Sequence, residues 1–262
     1  MSRGSGRYEE RTAALAAAVR EHPDLVGLVL LGSASDDAAA RRDEWSDHDF
    51  FALVREGAGP RVRPDLDWLP DRDELVLTAR EGEIGFAAVY ADGHVFEFAV
   101  AETGELGGAL VNEATVHVDD PAAPVAALVA RGRENAAAAD RIDPANEARL
   151  VLVKLLIGVG RVRRGEVLVG GQMIRGWAVQ ALARAIRGRF PERSSAARDR
   201  NDALRRFEHD FPEWGERIAG ALALPPEDAA RALFSIARDA LDDGWPGFPR
   251  AAAAAVARRL GW

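Results

Sequence analysis

Leu25 to Leu31 is an almost continuously apolar run between Pro23 and Gly32, which fits a strand covered on both faces better than a short helix. Gly32 ends the run, and Ser33-Ala34-Ser35-Asp36 has the capping-box pattern that predicts a helix start. Phe50 to Val54 reads as the next strand, with Asp47-His48-Asp49 at its entrance. Gly85–Tyr90 and His94–Val100 predict a hairpin turned by Ala91-Asp92-Gly93. Ala114 to Val118 predicts a last strand, broken by Asp119-Asp120-Pro121. Ahead of these, Met1 to Arg7 reads as a disordered lead and Tyr8 to Glu21 as an Ala-rich helix ending before His22-Pro23. Glu56 to Arg80, with Pro60, Pro64 and Pro70, reads as loop with a short helix, in which Trp68 is either core or a substrate wall.

From Pro124 onward the periodicity is helical. Pro144 suits a first helical turn, Ala145 to Arg163 is strongly apolar, and Val167 to Arg187 makes a second long helix stopped by Gly188. On that helix Ile174, Trp177, Ala178 and Leu182 share one face and are expected in the core. Leu204–Glu208, Pro225–Leu241 and Ala251–Leu260 complete a helical tail. The expected fold is α+β: a mixed β-sheet domain over residues 1–122, then an all-helical domain over 123–262, with a site in the cleft between them.

Composition narrows the function. A chain of 262 residues that is 48% hydrophobic can bury one large core or two small ones. A formal net charge of −8 argues against nucleic-acid and anionic-membrane partners and suits a small-molecule one. There is no cysteine, so thiolate metal sites and disulfides are excluded, and the five histidines show no helical pair at zinc spacing. No signal-peptide pattern or long apolar span is visible, and a soluble cytoplasmic protein is expected.

The candidate chemistry lies in carboxylates. Asp47 and Asp49 alternate onto one face of a strand, about 6.5–7 Å apart, a spacing that suits Mg²⁺ ions gripped from both sides. The same Asp-x-Asp pattern recurs at Asp65-Leu66-Asp67 and Asp71-Arg72-Asp73, beside prolines, so the strand context singles out the first copy. Glu97, between Phe96 and Phe98, either faces solvent or completes a triad with the two aspartates. A helix start after Gly32 and Ser33 would attract phosphate. Lys154 is the sole lysine and stands inside Val151–Leu156, which fits a phosphate contact or an ion-paired, snorkelling helix lysine.

With Leu31-Gly32-Ser33, Asp47-His48-Asp49-Phe50 and Glu97, the chain resembles the nucleotidyltransferase superfamily that includes DNA polymerase beta and the antibiotic nucleotidyltransferases. Glu44-Trp45-Ser46-Asp47 looks most like the aminoglycoside and lincosamide enzymes, and Arg164-Gly165-Glu166 is similar to a motif in the helical half of the lincosamide type. The resemblance implies two Mg²⁺ ions held by Asp47, Asp49 and Glu97, ATP as donor with its outer phosphates on Gly32 and Ser33, and a small-molecule hydroxyl as acceptor. It implies Glu166 as a base for that hydroxyl, although a helix start favours glutamate anyway, and Glu147 is the rival. Two positions depart from the pattern: His48 fills a usually apolar slot, and Asp36 stands where relatives carry a basic or hydroxyl residue. An antitoxin-type protein adenylyltransferase and a non-catalytic nucleotide-binding relative are the alternatives.

Overall fold

The computed structural model describes residues 3–121, 124–195 and 198–262, with side chains from residue 6 onward. Contacts divide the chain into two units, Met1–Ala139 and Asp140–Trp262.

The first unit is built on one mixed sheet. Strands β1 (Leu25–Leu31), β2 (His48–Val54), β3 (Leu75–Glu81), β4 (Gly85–Tyr90), β5 (Val95–Glu102) and β6 (Ala114–Asp119) lie in the order β3-β4-β5-β2-β1-β6. Neighbours are antiparallel except β2 and β5, which run parallel. Helices α1 (Arg3–Glu21), α2 (Gly59–Val62) and α3 (Val125–Ala139) complete the unit. The alternation of strand side chains explains the apolar run of β1. Leu28 and Leu30 pack with Leu15 and Val19 of α1, whereas Val26 and Val29 pack with Val125, Leu128 and Val129 of α3. Gly27 permits this: a Cβ there would stand 2.8 Å from Val125 Cγ2 and 3.0 Å from Leu53 Cδ1.

Several expectations are corrected here. The helix expected from Tyr8 begins at Arg3, and Arg7, read as part of a disordered lead, is helical and paired with Glu74 and Asp92; Met1 and Ser2 lie outside the described residues. The stretch read as loop up to Arg80 holds β3, an edge strand exposed along nearly its whole length, so burial left no alternation in its sequence. Trp68 is core, packed edge-on to Phe50 and Phe98. Residues 122 and 123, where the boundary between the domains is expected, lie outside the described residues, and α3 beyond them packs on one face of the sheet.

The second unit is all-helical: α4 (Pro144–Arg163), α5 (Val167–Gln172), a π-helical stretch (Met173–Ala178), α6 (Val179–Arg189), α7 (Phe207–Asp210), α8 (Pro212–Leu222), α9 (Pro226–Leu241) and α10 (Arg250–Leu260). Asp143 caps α4, its Oδ1 accepting from the amides of Ala145 and Asn146 at 3.0 and 3.1 Å. Leu155, Ile174, Leu182, Ile186 and Leu233 are central in its core. Trp177 is the exception to the inward face expected for the second helix. The π stretch is wound more loosely than an α-helix, and Trp177 stands 48% exposed, under the Lys154 ammonium at 5.1 Å. Arg187 and Asp210 form a deeply buried ion pair at 2.6 Å, and Arg187 Nε also donates to the Ala203 carbonyl at 2.8 Å. No helix among the described residues is long and apolar enough to cross a membrane.

Candidate metal centre

The sheet register brings the three sequence-predicted carboxylates together. Asp49 is the second residue of β2 and lies directly abreast of Glu97 on the parallel neighbour β5, so both side chains leave the same face. Asp47, two residues earlier, adds a third carboxylate on that face. Ligand oxygens of Asp47, Asp49 and Glu97 all lie within 4.8 Å of one another, the one such acidic or histidine grouping among the described residues. By strand parity this is the face on which Leu53 and Ala101 meet α3. The other Asp-x-Asp copies are used in ion pairs: Asp67 with the exposed Arg72, and Asp71 with the buried Arg11 at 3.5 Å.

Gly32 closes the site from β1. Leu31 is the register partner of Asp49, and the chain then turns with Gly32 at φ +51°, a left-handed conformation that favours glycine. A Cβ on Gly32 would come 3.5 Å from Asp49 Oδ2. The α-helix expected after Ser33 does not form. Gly32–Ala34 and Asp36–Arg41 are 3₁₀ segments, and no side chain caps either of them. Ser35 Oγ donates instead to the Gly32 carbonyl at 2.8 Å, and the Asp36 amide is satisfied by Thr115 Oγ1 at 2.9 Å. Ser33 therefore sits in a tight turn, half-buried, and not at the head of a helix.

What holds this turn was missed from sequence. The guanidinium of Arg42 donates to the carbonyls of Ser33, Ala34 and Ser35 at 2.8–3.0 Å and to Glu9, and it lies over the ring of Tyr8 at 4.9 Å. The Tyr8 hydroxyl donates to the Asp47 carbonyl at 2.8 Å. Burial pushes the Tyr8 phenol well up, so it stays protonated as that donor. Arg42 follows another arginine, and Tyr8 lies on a distant helix, so neither residue carries a local signal.

His48 is turned away from the carboxylates. Its ring is buried on the α1 face, stacked on Tyr8 at 3.9 Å between centroids. Its Nε2 lies 2.9 Å from Thr12 Oγ1 and its Nδ1 2.7 Å from His94 Nε2. Burial first, then the neighbouring His94 and Arg42, push its pKa down to about 2, so it is neutral in the folded protein. His48 therefore places no titrating group beside the carboxylates. Asp36 is exposed and stands 3.7 Å from His117 Nε2.

The remaining sequence-predicted residues belong to the second unit. Glu166 precedes α5 and is gripped by Arg161 and by Arg164, the latter at 3.1 Å; these hydrogen bonds hold its carboxyl below the usual range. Its rival Glu147 accepts from Arg184 at 2.8 Å. Lys154 is half-buried over Trp177.

The donor set of the triad is three hard carboxylate oxygens with no nitrogen or sulfur, which fits Mg²⁺ or a similar cation. A cation held by these three carboxylates would keep further coordination positions open to other oxygen ligands.

No protein family and no curated protein matches the chain. Two solved structures align with it along most of their length. One is a nucleotidyltransferase-like protein from Exiguobacterium sibiricum 255-15, 11% identical, covering 96% of this chain and 80% of that chain with a TM-score of 0.36. The other is an aminoglycoside 6-adenyltransferase from Bacillus subtilis, 11% identical, covering 97% of this chain and 92% of that chain with a TM-score of 0.30.

Proposed function

We propose that the chain is a Mg²⁺-dependent nucleotidyltransferase that moves a nucleoside monophosphate, AMP from ATP, onto a hydroxyl of a small molecule. The observation that carries this reading is the convergence of Asp47, Asp49 and Glu97 within 4.8 Å, beside the left-handed turn at Gly32. The motif resemblance to the nucleotidyltransferase superfamily supports it, and its aminoglycoside- and lincosamide-like segment favours such an antibiotic as the acceptor. The acidic net charge suits a cationic one.

In this reading Asp47, Asp49 and Glu97 hold the cation, which supplies charge neutralisation to the triphosphate when bound. The turn at Gly32 and Ser33 seats the outer phosphates. The acceptor hydroxyl gives its proton to the base, its oxygen forms a bond to the α-phosphorus, the bond from that phosphorus to the bridging oxygen breaks, and pyrophosphate leaves. The protein contributes position: sheet hydrogen bonds fix Asp49 against Glu97, and Tyr8 and Arg42 fix the backbone on either side of the site. Glu166 as base and Lys154 as a phosphate contact are parts of the proposal that rest on sequence.

The test is thermal unfolding with and without Mg²⁺-ATP in the parent and in Asp49→Ala, followed by pyrophosphate release with candidate acceptors. At a hundredfold excess over the dissociation constant, stabilisation of about 2.7 kcal/mol is expected in the parent and none in the variant. The absence of any Mg²⁺-dependent shift with any nucleoside triphosphate in the parent would overturn the reading.

A further inference from the structure

Trp45 is out of place for its residue type. Of the six tryptophans, Trp68 is buried, Trp214, Trp245 and Trp262 pack against the helical core, and Trp177 lies under Lys154. Trp45 alone is more than half exposed, at 85%, and none of the ring contacts or core clusters of the described residues includes it. Its segment is nevertheless firmly built. Asp43 Oδ1 accepts from the Trp45 amide at 2.9 Å and from Ser46 Oγ at 3.2 Å; Ser46 Oγ accepts from the Asp43 amide at 3.0 Å; and the Ser46 amide donates to the Asp43 carbonyl at 3.2 Å. The segment is fastened at both ends, by Arg42 to the Gly32–Ser35 turn and by the Asp47 carbonyl to Tyr8. A rigid turn thus presents a bare indole to solvent two residues from Asp47, a Cα separation of at most about 7 Å.

We propose that Trp45 is the platform on which the base of the nucleoside triphosphate stacks. The inference rests on the nucleotidyltransferase reading. Two short tethers carry it. The base is one sugar away from the α-phosphate, and Trp45 is two residues away from a carboxylate of the centre that would bind that phosphate. The turn fixes the backbone that carries the indole, so binding has only the two side-chain torsions of Trp45 left to order while it gains the stacking area of a large ring. Stacking is tolerant of base identity, so Trp45 supplies affinity for the nucleoside and not a choice between ATP and GTP.

The experiment uses the full chain with two probes, Mg²⁺-ATP and Mg²⁺-tripolyphosphate, which shares the phosphates and lacks the nucleoside. Calorimetric titration and acrylamide quenching of tryptophan fluorescence are read in the parent, Trp45→Ala and Trp45→Phe. ATP is expected to bind the parent more tightly than tripolyphosphate and to protect a fraction of the fluorescence from quenching; tripolyphosphate gives no protection. Trp45→Ala should weaken ATP binding by about five- to a hundredfold and leave tripolyphosphate unchanged. Trp45→Phe should restore most of the loss, and both variants should lack the protected fraction. If the parent binds ATP and Trp45→Ala binds it equally well, the platform assignment falls while the nucleotidyltransferase reading stands. If the protected fraction appears only on adding an antibiotic acceptor, the assignment also falls. If the parent binds neither probe, the reading beneath it has failed.

Discussion

His48 follows one proposed metal ligand and precedes another, yet it belongs to a buried column of Tyr8, Thr12 and His94 on the opposite face. Its pKa, held near 2 when folded against an unfolded value of 6.5, sets a sign. Between those values the unfolded chain takes a proton that the folded chain refuses, so stability is lost as pH falls below about 6.5. His94, lowered for the same reason of burial, adds in the same direction. Urea unfolding at pH 7 and pH 5 should show a loss of about 2 kcal/mol from His48 alone, at roughly 1.4 kcal/mol per pH unit. The pH dependence should flatten in His48→Asn; an undiminished dependence in that variant would disprove the assignment. In the helical unit burial pushes the Asp210 carboxyl up, but hydrogen bonds from Arg187 and the Ser195 amide outweigh it and hold it down. Arg187→Ala leaves that carboxylate buried without its partner and should cost about 3–5 kcal/mol in denaturant unfolding; a cost below about 1 kcal/mol would mean that water reaches it. Glu166 is engaged by the guanidiniums of Arg161 and Arg164, and as the proposed base its replacement in Glu166→Gln should lower kcat by about 10²–10⁴. A loss of less than about tenfold would remove Glu166 from that role.

At the scale of elements, legibility in the sequence followed burial. Leu25–Leu31 and Gly85–Tyr90 were readable because a covered strand writes its environment into its composition; Asp47 and Asp49 stood out because carboxylates opening a buried strand need a reason, and Glu97 because it interrupts an apolar strand between Phe96 and Phe98. β3 was not readable, since an exposed edge places no demand on its side chains. The Gly-Ser turn was misjudged because a capping box describes local hydrogen bonding, whereas here Arg42 and Thr115, distant in sequence or in another element, satisfy the backbone. The rotation of Trp177 out of the core depends on one loosely wound stretch, and helical spacing cannot foresee it. Two glycines separate packing from site geometry. Gly27→Ala drives a methyl into Val125 and Leu53 and should cost about 1–3 kcal/mol while leaving Mg²⁺ affinity unchanged. Gly32→Ala forces a left-handed alanine beside Asp49; it should cost about 1–2 kcal/mol and also weaken Mg²⁺. Paired calorimetric titrations and unfolding curves would separate them, and equal Mg²⁺ effects would contradict the placement of the turn.

For the whole molecule, the composition spoke to partners and the pattern spoke to architecture, with no means of reading the joint. Each unit has its own core, with the clusters about the sheet confined to the first and the helical cluster confined to the second. The chain is long enough for both, and the placement of α3 with the sheet was decided by Val125, Leu128 and Val129 finding its open face.

The parallel pairing of β2 with β5 has a kinetic corollary. These strands cannot meet until the segment that becomes β3 and β4 has been looped out between them, an entropic cost borne before any reward. Asp49 and Glu97 should therefore come abreast late, after the folding barrier is crossed. Stopped-flow chevrons with and without Mg²⁺ should then superimpose on the refolding limb and separate on the unfolding limb, the ion acting as a latch on the finished protein and not as a nucleus for its assembly.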